Sequence, residues 1–178
     1  MPANRLALAA LPFLVALAGC QTVYENTADE YAAATIRDRA GNPVGTARFY
    51  SLGEEVTVSA SFTGLPQGMH AVHLHTTGDC SAADFTSAGG HLNPGGNEHG
   101  SLNPRGAHLG DLPNVTIDSS GAGTVSAVLP TTRERLPGQL FDTDGTAVVV
   151  HAGADDYRTD PAGDAGSRIA CGVVMAGM

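Results

Sequence analysis

The chain has 178 residues, with eighteen acidic residues, nine arginines and no lysine, which gives a formal charge of −9 at pH 7. This length suits one domain with a sizeable core rather than two. Few aromatic residues (5%), 23 glycines and 10 prolines favour many short strands joined by turns, so we expect an all-β protein. The negative charge argues against binding to nucleic acid phosphates.

The first nineteen residues have the pattern of an export signal. A weakly basic start at Arg5 precedes the apolar run LALAALPFLVALAG, which is short for a membrane span and ends in small residues. The tetrad LAGC that ends at Cys20 resembles a bacterial lipobox, and an ordinary secretory signal with an incidental cysteine is the alternative. A lipobox predicts acylation of Cys20 and a lipid anchor on a membrane of the cell envelope, facing the periplasm. The expected divisions are a signal peptide (1–19), a lipidated cysteine with a short tether (20–32) and a folded domain (33–178).

Alternating apolar residues predict three strands at the start of the domain. These are residues 34–39, 44–50 and 54–62, the last with Val56, Val58, Ala60 and Phe62 on one face. Met69 to Leu74 reads as a fourth strand. It carries His73 and His75, whose rings project from the same face and form a pair of nitrogen ligands. His70 has an odd offset from His73, so we interpret it as a structural histidine on the opposite face.

The segment from 76 to 113 has no strand pattern, and a loop of this length is usually functional. It holds His91, His99, His108 and Asp111 but few apolar side chains, so a bound cation is expected to tie it down. Three imidazoles and one carboxylate suit tetrahedral zinc. A lone histidine is more often structural. Here six of the seven histidines lie between Gly68 and Asp111, which argues against a chance distribution.

Four more strands complete the predicted order. Residues 114–117 and 123–129 read as a β-hairpin. The connection that follows carries Leu136, Leu140 and Phe141, which are expected to cover the core from outside. Residues 146–151 and 168–174 read as the last two strands. His151 ends the apolar run TAVVV and could join His73 and His75 in a nitrogen-only site, a type of site that suits copper.

At this point several motifs resemble those of the bacterial, extracytoplasmic copper/zinc superoxide dismutases. They are GMHAVHLH, GDC, SAGGHLNPGGNEHG, GAHLGDLPN, VVVHAGADD and AGSRIACGVV, and with the strands between them they cover nearly everything from Ala33 to the end. The resemblance implies an eight-stranded antiparallel Greek-key barrel or flattened sandwich, with two long loops over a binuclear metal site. It also implies dismutation of superoxide to dioxygen and hydrogen peroxide, with copper as the redox ion and zinc as the structural ion.

By position in these motifs, each metal would have four ligands. The copper ligands would be His73, His75, His91 and His151, and the zinc ligands would be His91, His99, His108 and Asp111. His91 would therefore be a bridging imidazolate, which also delivers a proton to the product.

Two further roles follow from the resemblance. Asp155 matches the aspartate that links a copper-bound and a zinc-bound imidazole, and we expect it between His73 and His99. Arg168 matches the arginine that guides the anion to copper. The alternatives are an acidic surface turn, as we expect for Asp156, and an ordinary surface arginine. The acidic residues of the loop before Arg168 are Asp155, Asp156, Asp160 and Asp164. They make long-range steering of an anion doubtful but leave the chemistry unaffected.

The odd count of three cysteines is explained if Cys20 carries lipid. Cys80 and Cys171 are then able to pair in an oxidising compartment, and two free buried cysteines are the alternative. The rival functions are a lipid-anchored copper- or zinc-binding protein that buffers or transfers metal without turnover, and a structural envelope protein. Such relatives generally lack part of the ligand set, whereas this chain has all of it. The oligomeric state, monomer or homodimer, does not follow from the sequence.

Overall fold

A computed structural model describes residues 28–177, so the predicted signal segment and Cys20 lie outside the described residues. The strands are β1 (Asp29–Asp38), β2 (Pro43–Leu52), β3 (Glu55–Phe62), β4 (Gly68–His70), β5 (Val72–His75), β6 (Val115–Ile117), β7 (Gly123–Val128), β8 (Ala147–His151), β9 (Arg168–Val173) and β10 (Met175–Ala176). A short helix, α1 (Leu136–Leu140), and a 3₁₀ turn at Thr86–Ala88 complete the secondary structure of this part of the chain. None of its helices has the length and apolar character needed to cross a membrane.

The strands form one curled sheet and one small sheet. The larger sheet has eight strands, in the order β5-β8-β9-β1-β2-β3-β7 with β10 attached to β1, and the small sheet contains β4 and β6. All the pairs are antiparallel. The all-β, antiparallel barrel class predicted from the sequence is therefore confirmed.

The predicted fourth strand is interrupted at Ala71, which separates β4 from β5. The N–H of Ala71 donates to the carbonyl of Gly153, and its carbonyl accepts from the N–H of His151. The backbone groups of Ala71 thus bond to the end of β8 and to the segment that follows it, and the chain passes from the small sheet to the large one at this residue. This switch leaves His70 and His73 on strands of different sheets.

The first strand begins at Asp29, earlier than the expected domain start at Ala33. Asp29 and Glu30 already pair with Ser51 and Tyr50 of β2. Their side chains are exposed and polar, so hydrophobic patterning gives no signal that the strand has started. The predicted tether, residues 20–32, therefore overlaps β1 at residues 29–32.

The predicted hairpin between residues 114–117 and 123–129 is wrong as a pairing. Strand β6 pairs with β4, and β7 pairs with β3. A tight turn, closed by the N–H of Gly121 on the carbonyl of Asp118 at 3.0 Å, does connect the two strands. After this turn the strands enter different sheets, because each has a longer-range partner whose edge is free.

The barrel core is filled by the alternating residues of the strands. Val56, Val58, Ala60 and Phe62 of β3 are all 2% exposed or less, as their spacing predicts. In α1, Leu136 and Leu140 lie one helical turn apart and are fully buried. Phe141 is 37% exposed, so it does not cover the core as expected. Each fully buried leucine contributes about 1.5–3 kcal/mol of hydrophobic stabilisation.

Isolated bridges hold the long loop against β5. His73 pairs with Asp111 and His75 pairs with His91, outside the regular ladders. On its other side β5 pairs with β8, which ends at His151. The loop between β5 and β6 is thereby held along the outer side of β5, the last strand of the larger sheet, and it brings its predicted ligands close to His73 and His75.

Candidate metal centre

Four histidine rings converge beside the antiparallel pair of strands β5 and β8. We call this set, which comprises His73, His75, His91 and His151, the four-histidine cluster. One ring nitrogen from each residue lies within 4.8 Å of the others. None of the four residues is more than 7% exposed. Neighbouring strands explain the arrangement, because β5 supplies two rings from one face and β8 supplies a third.

The outward-facing nitrogens of this cluster are fixed by hydrogen bonds. His73 Nε2 donates to Asp155 Oδ2 at 3.0 Å, His75 Nδ1 to the Gly89 carbonyl at 2.9 Å, and His151 Nδ1 to the Gly166 carbonyl at 3.2 Å. A neutral imidazole has one N–H, so each of these bonds leaves a lone pair on the other ring nitrogen. The hydrogen bonds therefore select the tautomer that a metal ion requires.

The inward-facing nitrogens have no protein partner. They are His73 Nδ1, His75 Nε2, His91 Nε2 and His151 Nε2, and all four are buried. Leaving a buried polar atom unpaired costs about 1–3 kcal/mol, so four such atoms at one point would cost the folded state several kcal/mol unless a ligand bound them. A cation would satisfy all of them at once, and a nitrogen-only donor set suits copper.

A second set of ligands surrounds Asp111. We call His91, His99, His108 and Asp111 the aspartate-containing cluster. Asp111 Oδ1 lies 2.9 Å from His91 Nδ1, 3.0 Å from His99 Nδ1 and 3.1 Å from His108 Nδ1. A tetrahedral zinc site with bonds near 2.0 Å has ligand-to-ligand edges of about 3.3 Å. The cluster therefore has nearly the size and the donor set of such a site.

The other oxygen of Asp111 is held by the backbone. Asp111 Oδ2 accepts from the N–H of Gly100 at 2.9 Å and from the N–H of His108 at 3.0 Å. Burial alone would raise the pKa of Asp111, but the hydrogen bonds from His91 and from these two N–H groups outweigh it and lower the pKa well below its ordinary value. Asp111 is thus an ionised ligand at any pH near neutral.

His91 belongs to both clusters. Its Nδ1 faces Asp111, and its Nε2 faces the four-histidine cluster. Its ring also lies close to that of His73, with 4.0 Å between the ring centroids. One imidazole with its two nitrogens directed at two different donor sets has the geometry of a bridging ligand.

The carboxylate of Asp155 links the two clusters from behind. Its Oδ2 is 3.0 Å from His73 Nε2, and its Oδ1 is 2.9 Å from His99 Nε2. Asp155 is 4% exposed. Burial would raise its pKa, yet the bonds from the two histidines lower it. A Cβ at Gly163 would overlap the Asp155 carboxylate, so only glycine lets the loop pack this closely.

Burial keeps the cluster histidines neutral. Desolvation lowers the pKa of His75 to about 2, and it lowers those of His91 and His151 to about 4. The neighbouring Arg168 guanidinium adds to the effect on His75 and His151. Since metal ions bind the unprotonated ring, the lone pairs are available at neutral pH without displacing a proton.

Arg168 lies at the entrance to the four-histidine cluster. It shares a cavity of about 310 Å³ with His75, His91 and His151. Its guanidinium donates to the carbonyls of Phe85 and Gly89, both at 2.6 Å. The loop that carries these carbonyls is joined to β9 by a disulfide between Cys80 and Cys171, with an S–S distance of 2.02 Å. The predicted disulfide is therefore confirmed.

The remaining sequence predictions fall outside the two clusters. His70 is 4% exposed and lies near two carbonyls, those of Pro66 and His151, each at 2.9 Å from a ring nitrogen. This is a structural position, as we interpreted it. Asp156 is exposed and accepts from the N–H and hydroxyl of Thr159 at the turn that follows. Asp164 is also exposed.

Sequence reasoning missed two residues that support the centre. Asp160 Oδ1 accepts from the N–H of His99 at 2.7 Å. The side chain of Asn114 bonds to the backbone of Asp155 through both its oxygen and its nitrogen. Asn114 does end the motif GAHLGDLPN, which is the only signal that could have drawn attention to it. Asp160 has no such signal, because nothing separates it from the other aspartates of its loop.

Comparison with known proteins gives consistent results. The sequence model of the family described as "Copper/zinc superoxide dismutase (SODC)" matches residues 44–174. A protein of Aquifex aeolicus named superoxide dismutase [Cu-Zn] 2 is 42% identical over 149 residues, which cover 82% of this chain and 87% of that protein. A superoxide dismutase [Cu-Zn] of Caulobacter vibrioides is 38% identical over 147 residues, or 80% of this chain and 84% of that one.

Two solved structures are similar as well. A protein of Bacillus subtilis described as SOD-like has a TM-score of 0.73 and 36% identity, over 80% of this chain and 97% of that chain. The Cu/Zn superoxide dismutase of Brucella abortus has a TM-score of 0.62 and 26% identity, over 80% of this chain and 98% of that chain. The fold and the sequence motifs therefore agree on one family.

Proposed function

Because the chain belongs to the copper/zinc superoxide dismutase family, an enzyme family that uses copper and zinc, we propose that it dismutates superoxide with copper in the four-histidine cluster and zinc in the aspartate-containing cluster. The observation that carries this proposal is the convergence of four buried, unpartnered imidazole nitrogens beside a cavity that contains Arg168. Copper, when bound there, would supply reversible one-electron chemistry that takes an electron from one superoxide and gives it to another. Zinc has no such redox chemistry, so its role is structural.

His91 is the residue proposed to connect the two ions and to handle a proton. Its Nδ1 stays with the aspartate-containing cluster, where Asp111 orients it. Its Nε2 has no protein partner, so this atom is where a proton is held when it is not engaged with metal. His91 lines the cavity that contains Arg168, and from this position it would pass the proton to the reduced product.

Arg168 is proposed to bind the anionic substrate. Two carbonyls fix its guanidinium at the cavity wall, and the protein pays little further conformational entropy when superoxide arrives. The guanidinium is a strong donor to an anion. Asp155 in turn is proposed to orient His73 and His99, so that both metal sites keep their ligand geometry through the reaction.

The location proposed for the protein is the periplasmic side of the bacterial envelope, with a lipid anchor at Cys20. The lipobox-like LAGC tetrad and the Cys80–Cys171 disulfide, which needs an oxidising compartment, support this proposal. Intact-mass analysis of the native protein tests it. We expect a mature form that begins at an acylated Cys20, and any other mature start would remove the anchor.

The second candidate function is a metal-binding protein that buffers or transfers copper without turnover. It is retained because one of the similar structures is described only as SOD-like. One experiment separates the candidates. The purified mature protein is reconstituted with copper and zinc, its metal content is measured, and superoxide decay is followed. We expect one copper and one zinc per chain with rapid turnover. Zinc without copper would refute the enzyme proposal, and copper without turnover would favour the second candidate.

A further inference from the structure

Asn114 makes a two-point contact with Asp155. Its Nδ2 donates to the Asp155 carbonyl at 2.9 Å, and its Oδ1 accepts from the Asp155 N–H at 2.8 Å. The backbone N–H of Asn114 donates to the hydroxyl of Tyr157 at 2.8 Å. Three hydrogen bonds thus connect this one residue to the turn that follows His151.

A carboxamide is well suited to this contact. It carries an acceptor and a donor in one plane, and these match the N–H and the carbonyl of a single backbone residue. An aspartate in the same place would only accept, and its second oxygen would face the Asp155 carbonyl. The Asn114 side chain thus pairs with the Asp155 backbone as a residue of a neighbouring β-strand would. This pairing fixes the orientation of the Asp155 backbone.

The turn that Asn114 holds is not a relaxed one. Tyr157 has a φ of 63°, in the left-handed region that non-glycine residues rarely adopt. In this conformation its N–H donates to Asp155 Oδ1 at 2.6 Å. The same oxygen faces His99, and its partner oxygen faces His73. The position of the Asp155 carboxylate therefore depends on a backbone conformation that the surrounding bonds must maintain.

Asn114 lies in a part of the chain that is itself held in place. It comes directly before β6, which pairs with β4 in the small sheet, and it follows Asp111 closely in the chain. The segment from 111 to 114 thus provides one residue of the aspartate-containing cluster and, through Asn114, the support of the carboxylate that joins both clusters. We propose that Asn114 is a positioning residue of the metal centre, which aims the Asp155 carboxylate at His73 and His99 by fixing the Asp155 backbone. This inference rests on the proposed function only for the identity of the metals.

The first test uses the mature protein without metal. In the wild type, the Nε2–H protons of His73 and His99 are hydrogen-bonded to Asp155 and should exchange slowly with solvent, as measured by NMR. We expect Asn114→Ala to speed their exchange by about tenfold or more, the size expected for the loss of two hydrogen bonds. The matched control is Asn42→Ala, which removes an exposed side-chain bond to Asp38 and should leave both protons protected.

The second test measures zinc affinity by competition with a chelator, in a double-mutant cycle of Asn114→Ala and Asp155→Ala. Loss of a residue that orients metal ligands typically weakens affinity about 10–100-fold. We expect a loss of about tenfold for Asn114→Ala in the wild type, and of less than about twofold when Asp155 is already absent. Equal losses in both backgrounds would show that Asn114 acts on general stability, and the proposal would be overturned.

If Asn114→Ala does not fold, a variant with a side chain of the same shape can be used instead. Asn114→Asp keeps the acceptor and loses the donor, so it should also weaken zinc binding only when Asp155 is present. Wild-type zinc affinity in this variant would overturn the proposal. Neither readout needs turnover. A wild type that binds zinc but does not dismutate superoxide would refute the proposed function while leaving the role of Asn114 to be decided by the cycle.

Discussion

Replacing Cys80 with serine should affect stability and activity together, because the disulfide joins the loop after β5 to β9. The bridge closes a loop of 91 positions. The loss of chain entropy in the unfolded state for such a loop corresponds to about 4–5 kcal/mol of stability. For a folded part of about 150 residues the entropy of unfolding is near 0.3 kcal/mol/K, so the melting temperature should fall by about 15 °C.

The effect on activity follows from what the closed loop carries. The carbonyls of Phe85 and Gly89, which hold the guanidinium of Arg168, lie a few residues after Cys80. When the bridge is absent, this segment keeps its hydrogen bonds and the packing of Phe85 and Ala88 but loses its covalent link to β9, so Arg168 is held less firmly at the cavity. We therefore expect kcat/KM for superoxide to fall by about tenfold, with a larger effect at higher temperature.

The measurement compares Cys80→Ser, Cys171→Ser and the double variant by thermal unfolding without metal and by superoxide turnover with metal. All three should behave alike, since each removes the same bridge, and reduced wild type is the matched control with unchanged composition. Peptide mapping of the unreduced wild type should find Cys80 linked to Cys171. Two free thiols, or a melting temperature that changes by less than about 5 °C, would refute the reasoning.

Three other predictions concern the centre itself. Arg168→Gln should lower kcat/KM about tenfold or more without changing metal content, and Arg168→Glu should lower it further; full activity of Arg168→Gln would show that Arg168 does not bind the anion. Asp111→Ala should weaken zinc retention during dialysis more than copper retention, and equal losses of both ions would contradict the separate donor sets. The metal-free protein should lose stability as the pH falls from about 6.5 towards 4. Burial lowers the folded-state pKa of His75 to about 2 and those of His91 and His151 to about 4, whereas the unfolded chain takes up these protons near pH 6.5. Urea unfolding at several pH values checks this sign, and stability independent of pH in that range would contradict it.

The ligands were predictable from the sequence because their chemistry is distinctive. Six of the seven histidines lie between Gly68 and Asp111, and a set such as His91, His99 and His108 on one loop with few apolar residues has few explanations besides metal binding. The supporting residues have no such signature. Asn114 meets a partner 41 positions away, and Asp160 meets one 61 positions away. Side chains of their types are common in turns, and only the closed barrel brings these pairs together.

The positions of the strands could be predicted from the sequence better than their pairing. Alternation of apolar residues identified β3, which is buried on one face, and a continuous apolar run identified β8, which is buried on both faces. Hydrophobic patterning of this kind does not determine which strands are neighbours in the sheet. The turn at Asp118 and Gly121 suggested a local hairpin, but the free edges of β4 and β3 offered the better partners. Ala71 shows the same limit, since its backbone partners are His151 at the end of β8 and Gly153 just after it, about 80 positions away.

The acidic loop before Arg168 presents an electrostatic difficulty, because the substrate is an anion and the chain has a formal charge of −9. The structure resolves it through the direction of the side chains. Asp155 faces two imidazoles, Asp156 accepts from the turn at Thr159, and Asp160 accepts from a backbone N–H. None of these aspartates lines the cavity that Arg168 shares with the four-histidine cluster, and the loop contributes Pro161 and Ala162 there instead.

Local charge should therefore dominate over net charge at the last stage of approach. A guanidinium about 5 Å from a bound anion contributes on the order of 3 kcal/mol at an effective dielectric constant near 20, whereas charges beyond about 8 Å are largely screened at physiological salt. Arg168 is the only residue with a formal charge at neutral pH among the described residues that line the cavity. The aspartates that oppose superoxide at long range thus serve to hold the ligands and the loop, and activity should decline only modestly with ionic strength, as expected when one nearby cation provides the attraction.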